Sequence, residues 1–79
     1  MLGVYVLINS DLGTDAGVIK ELKKIPAVVE VDGVYGAYDI VVQVNADSPE
    51  KLYDSLRRIR NVKGVKGTLT MTIIKGQGQ

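Results

Sequence analysis

Residues 34–39 hold the densest group of side chains that could bind a ligand. One interpretation is a clamp for a small molecule, in which Gly36 lets the ligand approach backbone N–H groups that can hold a carboxylate. Asp39 would accept a hydrogen bond from an ammonium group, and Tyr38 would form a wall of the pocket. The alternative is a turn glycine, a β-favouring tyrosine and a solvated acid. The residues alone leave both interpretations open.

Two further groups of polar side chains have weaker functional interpretations. Thr68, Thr70 and Thr72 place hydroxyls at period-two spacing, which suits a polar ligand but also suits a half-exposed strand. Six cations between positions 51 and 66 could contact nucleic acid, but acids interleave with them and no aromatic platform accompanies them. We interpret these cations as a solvated helix face and predict no direct DNA binding. They are Lys51, Arg57, Arg58, Arg60, Lys63 and Lys66.

The composition argues against catalysis and metal binding. The chain has no His and no Cys, so it lacks the commonest general base, a thiol nucleophile and the commonest zinc ligands. No phosphate-binding loop of the GxxxxGK[ST] type is present. We therefore predict no enzymatic activity, no cofactor and no metal site. The net charge of +1 implies no strong field for nucleic acid or an anionic membrane. No apolar run approaches the roughly 20 residues of a membrane span, and no signal peptide is visible, so a cytoplasmic location is expected.

The pattern of apolar residues predicts four strands and two helices in a single domain of 79 residues. Period-two alternation predicts strands over residues 2–9, 27–35, 38–46 and 65–75, with a short Gly36-Ala37 link in the central hairpin. Thr14 is a candidate N-cap for a helix that ends before Pro26, and Ser48-Pro49-Glu50 begins the second helix. The order β-α-β-β-α-β indicates an α+β, ferredoxin-like sandwich with a four-stranded antiparallel sheet and two helices on one face. Residues 76–79 are expected to form a flexible tail.

The sheet face that the helices leave open predicts self-association. The strands carry apolar residues on both faces, whereas two helices cover only one of them. A contiguous apolar patch on a small domain marks an interface, and two sheets packed about a twofold axis would cover it. We therefore predict a homodimer through the open face, with an interface that includes Tyr5, Leu7, Val41 and Gln43.

The order and spacing of several short motifs resemble the effector-binding (RAM) domain of the Lrp/AsnC, or feast/famine, transcription regulators. Gly36-x-Tyr38-Asp39 resembles the family's Gly-x-Tyr-Asp hairpin, and Gly64-Val65 followed by Thr70 resembles its last strand. The resemblance covers about residues 2–75. The chain departs from the family where Tyr35 replaces a frequent threonine and Lys63 a frequent proline. A further departure is that no helix-turn-helix domain accompanies residues 1–79, as expected of a stand-alone form.

This resemblance implies a sensing role. Family dimers commonly assemble into rings of four or five, so an octamer or decamer is expected. The resemblance also implies a small amino-acid effector bound between subunits, with transcription or amino-acid metabolism modulated through assembly. A full-length regulator of the family would be a further partner. The implied effector site consists of Gly36, Ala37, Tyr38, Asp39, Thr70, Met71 and Thr72.

Two other functions remain open from the residues. Dimeric ferredoxin-like domains also host small enzymes, which would need a base or an electrophile from Tyr, Asp or Glu in this chain. A ligand-free oligomerisation module would need the hairpin glycine only for its turn.

Overall fold

The computed structural model describes residues 2–73 and confirms the ferredoxin-like sandwich. The elements follow the predicted order: β1 Leu2–Ser10, α1 Asp15–Leu22, β2 Val28–Gly33, β3 Ile40–Ala46, α2 Pro49–Arg60 and β4 Val65–Thr72. All pairings are antiparallel and the strand order is β2-β3-β1-β4, so the two central strands are the first and third in sequence. Neither helix in this part of the chain is long and apolar enough to cross a membrane.

The core lies between the helices and one face of the sheet. Alternate residues of β1 and β3 are buried there, and β-branched side chains dominate because they pack well on a pleated surface. The helices contribute Val18 and Leu22 from α1 and Leu56 and Ile59 from α2. The sheet contributes Val4, Val6, Ile8, Ile40, Val42 and Val44.

The two helices begin as expected but differ in their capping. The Ser48 hydroxyl accepts a hydrogen bond from the Lys51 amide at 3.3 Å, and Pro49 occupies the first turn of α2. Thr14 lies at the N-cap position of α1 but makes no capping bond; its hydroxyl donates to the Asp11 carbonyl at 2.7 Å. Helix α1 ends at Leu22, earlier than predicted. Tighter turns then carry the chain to Ile25, which remains buried.

Strand β2 differs from the predicted sheet in two details. A register shift between Val28 and Glu30 leaves Val29 out of the pairing and 58% exposed. Because this bulge shifts the alternation, Val28 shares the helical face with Val31, and Glu30 and Asp32 lie on the open face. The open face of β2 is therefore acidic rather than apolar.

The loop between β2 and β3 is also longer than predicted. It spans residues 34–39 rather than the Gly36-Ala37 link alone, and the Val34 amide closes it by donating to the Asp39 carbonyl at 2.8 Å. Strand β4 is described to Thr72. The predicted end of that strand at 74–75 and the predicted flexible tail at 76–79 lie outside the described residues.

Candidate functional site

The hairpin loop 34–39 lies on the surface and is held at one point. Asp39 begins the return to the sheet: its amide donates to the Ile8 carbonyl at 2.9 Å, and its carboxylate accepts from the Ser10 amide at 2.9 Å. The Ser10 hydroxyl in turn donates to the Asp15 carboxylate at 2.6 Å. These bonds join the hairpin, the end of β1 and the start of α1, and they hold the Asp39 carboxylate in place.

The rest of the loop is open to solvent. Gly36 has φ +136°, a backbone conformation that favours glycine, and a Cβ placed there would meet no atom within 4 Å. Tyr35 is fully exposed, whereas Tyr38 is half-buried. The turn therefore requires the glycine, and the space around it is free. A polar ligand can contact the Asp39 carboxylate, the backbone at Gly36 and the Tyr38 ring. A single chain does not enclose a ligand at this position.

The second half of the predicted effector site lies elsewhere on the sheet. Thr70, Met71 and Thr72 pair with Val6, Tyr5 and Val4 of β1, whereas the hairpin joins β1 at Ile8. With about 3.3 Å per residue along a strand and about 4.8 Å between strands, more than about 10 Å separates the two groups. The structure therefore does not bring them together within one chain.

The β4 group is itself divided between the two faces of the sheet. Thr70 and Thr72 share the helical face with Val4 and Val6, because directly paired residues lie on one face. Met71 lies on the open face and is 44% exposed. A ligand shorter than the separation between the two groups therefore cannot contact both within one chain.

The residues predicted for a dimer interface do lie together on the open face. Tyr5 pairs with Gln43, and Leu7 pairs with Val41. The same two β1 residues pair on the other side with Met71 and Leu69, which the interface prediction omitted. The alternation in β4 was the available signal, but only the β1–β4 register shows which residues join the patch. We call this group the open-face patch: Tyr5, Leu7, Val41, Gln43, Leu69 and Met71.

The acidic strand borders the open-face patch on one side. Glu30 and Asp32 pair with Gln43 and Val41, and with Tyr5 they line a shallow depression of about 200 Å³. Within residues 2–73, no group of three or more acidic side chains is arranged to hold a metal ion.

The comparisons with known proteins agree on one family. The family model of the Lrp/AsnC ligand binding domain matches residues 3–76. The HTH-type transcriptional regulator FL11 of Pyrococcus furiosus is 35% identical over 71 residues, which are 90% of this chain and 47% of that protein. The homocitrate synthase of Sulfurisphaera tokodaii is 42% identical over 72 residues, but they are only 15% of that enzyme.

A solved structure extends the same relationship. The crystal structure of FFRP-DM1 matches with a TM-score of 0.88 and 31% identity, and the match covers 94% of this chain and 100% of that one. The chain thus spans about half the length of the curated regulators it matches and a small part of the synthase. By sequence and by fold, this chain belongs to the Lrp/AsnC family and corresponds to its ligand-binding domain.

Proposed function

We propose that this chain is an amino-acid-sensing module that binds a small amino-acid effector between subunits and acts through its assembly. The observation that carries the proposal is the exposed hairpin, where the Asp39 carboxylate is anchored by the Ser10 amide beside the open backbone at Gly36. A carboxylate is a partner for the ammonium group of an amino acid, and free backbone N–H groups suit its carboxylate.

The separation of the two halves of the site supports binding between subunits. Residues 36–39 and 70–72 lie more than about 10 Å apart along one sheet. A second chain can supply the missing half. A ligand that contacts two subunits stabilises their association, because binding to the assembled state shifts the equilibrium towards it.

The open-face patch supports a homodimer as the basic unit. Tyr5, Leu69 and Met71 are 39%, 46% and 44% exposed in the single chain, and they adjoin the half-buried Leu7 and Val41. Apolar side chains gathered in this way are stabilised when a second sheet covers them. Further assembly to an octamer or decamer would bring the hairpin of one dimer to the β4 strand of another.

Native mass spectrometry, alone and with each of the twenty amino acids at millimolar concentration, tests this function. We expect stoichiometric retention of one or a few amino acids and a dimer or larger ring whose mass or stability responds to them. A clean monomer would contradict the assembly mechanism. An oligomer that retains none of them would instead support the ligand-free oligomerisation module, and turnover of a retained amino acid would support the enzyme.

The Asp39→Asn variant separates a binding role from a structural one. The amide oxygen of asparagine can still accept from the Ser10 amide, so the loop keeps its anchor while the charge is lost. Because charge-assisted hydrogen bonds contribute about 1.5–3 kcal/mol, we expect effector affinity to fall by about ten-fold or more. The control is Asp54→Asn on α2, an exposed acid remote from the hairpin. Equal affinity in both variants would remove Asp39 from the site.

The homocitrate synthase similarity favours a second setting for the same module. A segment of that enzyme is 42% identical to this chain over 72 residues, which supports a module that is part of, or binds to, an enzyme. In this setting, effector binding would alter the activity of an enzyme rather than the DNA binding of a full-length regulator. Affinity capture with the immobilised chain, with and without the retained amino acid, distinguishes an enzyme partner from a regulator partner.

A further inference from the structure

A groove of about 840 Å³ lies between α1 and α2, on the helical face of the sheet. One wall runs along α1 and its flanking turns, over residues 13–25. The other wall is the end of α2 and the loop that follows, over residues 57–63. The groove lies on the opposite side of the sheet from the open-face patch, so dimerisation through that patch leaves it accessible.

The walls of this groove carry a strong excess of positive charge. Its five cations are Lys20, Lys24, Arg57, Arg58 and Lys63, and Glu21 is the one acid among the lining residues. Of these cations, Lys24 pairs with Glu21 at 2.8 Å, and Arg57 pairs with Asp54 at 3.2 Å. Lys20, Arg58 and Lys63 form no ion pair within residues 2–73. Cations near a helix C-terminus interact favourably with the helix dipole. The dipole does not explain why cations of both helices line the same groove.

The floor of the groove is apolar and is kept open by a glycine. Val18, Ile25 and Val62 line it together with Gly17. Gly17 lies inside α1, where glycine is less favourable than alanine. A Cβ at this position would meet no atom within 4 Å, and its φ is not positive, so neither packing nor backbone geometry requires glycine there. The missing side chain instead leaves space in the groove.

From these features we propose that the groove binds a small organic anion, one that carries two or more negative charges on an apolar body. The cavity volume lies within the range of about 300–1,000 Å³ that is usual for small-molecule sites. The unpaired cations suit a phosphate or a polycarboxylate, and the apolar floor accepts the remainder of the molecule. This site is distinct from the hairpin, because none of the residues that line the groove belongs to loop 34–39.

Isothermal titration calorimetry with three probes tests the site. The probes are 1-naphthyl phosphate, inorganic phosphate and 1-naphthol, which represent the whole chemistry, the anion alone and the apolar body alone. We expect saturable binding of naphthyl phosphate that weakens with added salt, and binding at least about ten-fold weaker for either part. Equal affinity for all three probes, or no saturable binding of naphthyl phosphate at millimolar concentration, would overturn the proposal.

Matched variants then locate the binding. Arg58→Gln combined with Lys20→Gln removes two unpaired charges, and we expect it to weaken naphthyl phosphate binding by about ten-fold or more. Gly17→Leu fills the floor, so we expect the affinity for naphthyl phosphate to fall to about that for inorganic phosphate, whose own binding should be unchanged. The control is Arg60→Gln, an exposed cation of α2 that does not line the groove. A loss in the control as large as in the double variant would show a diffuse charge effect and contradict a built site.

Discussion

Gly64 shows how a single residue allows the helical layer to pack closely on the sheet. Its φ is +100°, and a Cβ there would lie 2.9 Å from both Thr14 Oγ1 and Val18 Cγ2. The Gly64 carbonyl also accepts from the Asp11 amide at 2.8 Å. The glycine therefore lets the α2–β4 loop approach the start of α1 closely.

We expect Gly64→Ala to lower the free energy of unfolding by about 1–3 kcal/mol, because the substitution adds both backbone strain and a steric clash. Urea denaturation measures the change. Gly67→Ala is the control, since a Cβ at Gly67 meets no atom within 4 Å and its φ is not positive. A loss for Gly67→Ala as large as that for Gly64→Ala would mean that the close approach at Gly64 is not the cause.

The ion pair between Glu21 of α1 and Lys24, which follows the helix, makes part of the stability depend on pH. The hydrogen bond from Lys24 to Glu21, at 2.8 Å, lowers the pKa of Glu21 from its ordinary value, with further lowering by the charges of Lys24 and Lys20. Because the folded-state pKa is the lower one, the pair stabilises the fold above the unfolded-state pKa of Glu21. This contribution is lost as the pH falls through the folded-state pKa.

We expect Lys24→Gln to raise the pKa of Glu21 towards its ordinary value, as measured by an NMR titration of the carboxyl carbon. The effect on stability should be small, because both side chains are at least half exposed. Lys51→Gln on α2 is the control, since Lys51 pairs with Asp47 instead. An unchanged Glu21 pKa in Lys24→Gln would contradict the assigned cause.

Single residues also show the limits of sequence-based prediction for the site. The glycine, tyrosine and acid of the hairpin were recognisable from their types and adjacency. The Asp39–Ser10 contact was not, because it joins positions separated by 29 in the chain. The basic groove was missed for the same reason. Arg57, Arg58 and Lys63 belong to a cluster that looked like one solvated helix face, and only the packing of α1 brings Lys20 and Lys24 beside them.

Helix α1 is short and contains a glycine that lowers its stability without a packing reason. It has eight residues, and Gly17 lies within it without a packing partner for a Cβ. Its two fully buried residues, Val18 and Leu22, hold the helix on the sheet. Tertiary packing rather than helix propensity therefore stabilises this element.

We expect Gly17→Ala to raise the free energy of unfolding by roughly 0.5–1 kcal/mol, because alanine restricts the unfolded chain and favours the helix. Thermal denaturation followed by circular dichroism measures the gain. The reverse change at the preceding exposed position, Ala16→Gly, should lower stability by a similar amount. If Gly17→Ala destabilises the protein, the glycine has a packing role that its surroundings do not show.

The strands explain why the fold was more predictable than its details. β1 and β3 alternate without interruption, so period-two analysis found both and assigned their faces correctly. The same analysis did not detect the bulge at Val29 in β2, because a bulge adds one residue to the strand and leaves no mark in the hydrophobic pattern. The end of α1 was placed too late for a related reason, since Ile25 remains buried after the helix has ended.

The two surfaces of the sandwich differ in charge, although the net charge of the chain is only +1. The helical face has a basic groove with five cations and one acid among its lining residues. The sheet face has an apolar patch bordered by Glu30 and Asp32. A charged groove stays accessible when an apolar face is covered, so self-association and anion binding can occur together.

The proposed dimer can be tested by a substitution in the open-face patch. Leu69 lies in the open-face patch opposite Leu7 and is 46% exposed in the single chain. We expect Leu69→Lys to shift the protein from dimer to monomer in sedimentation velocity, because the interface would have to bury an unpaired charge. Tyr53→Lys is the matched control: Tyr53 lies on α2, on the other layer, and is 64% exposed. A dimer that survives Leu69→Lys but dissociates in Tyr53→Lys would place the interface on the helical face, and the groove between α1 and α2 would then be an intersubunit surface.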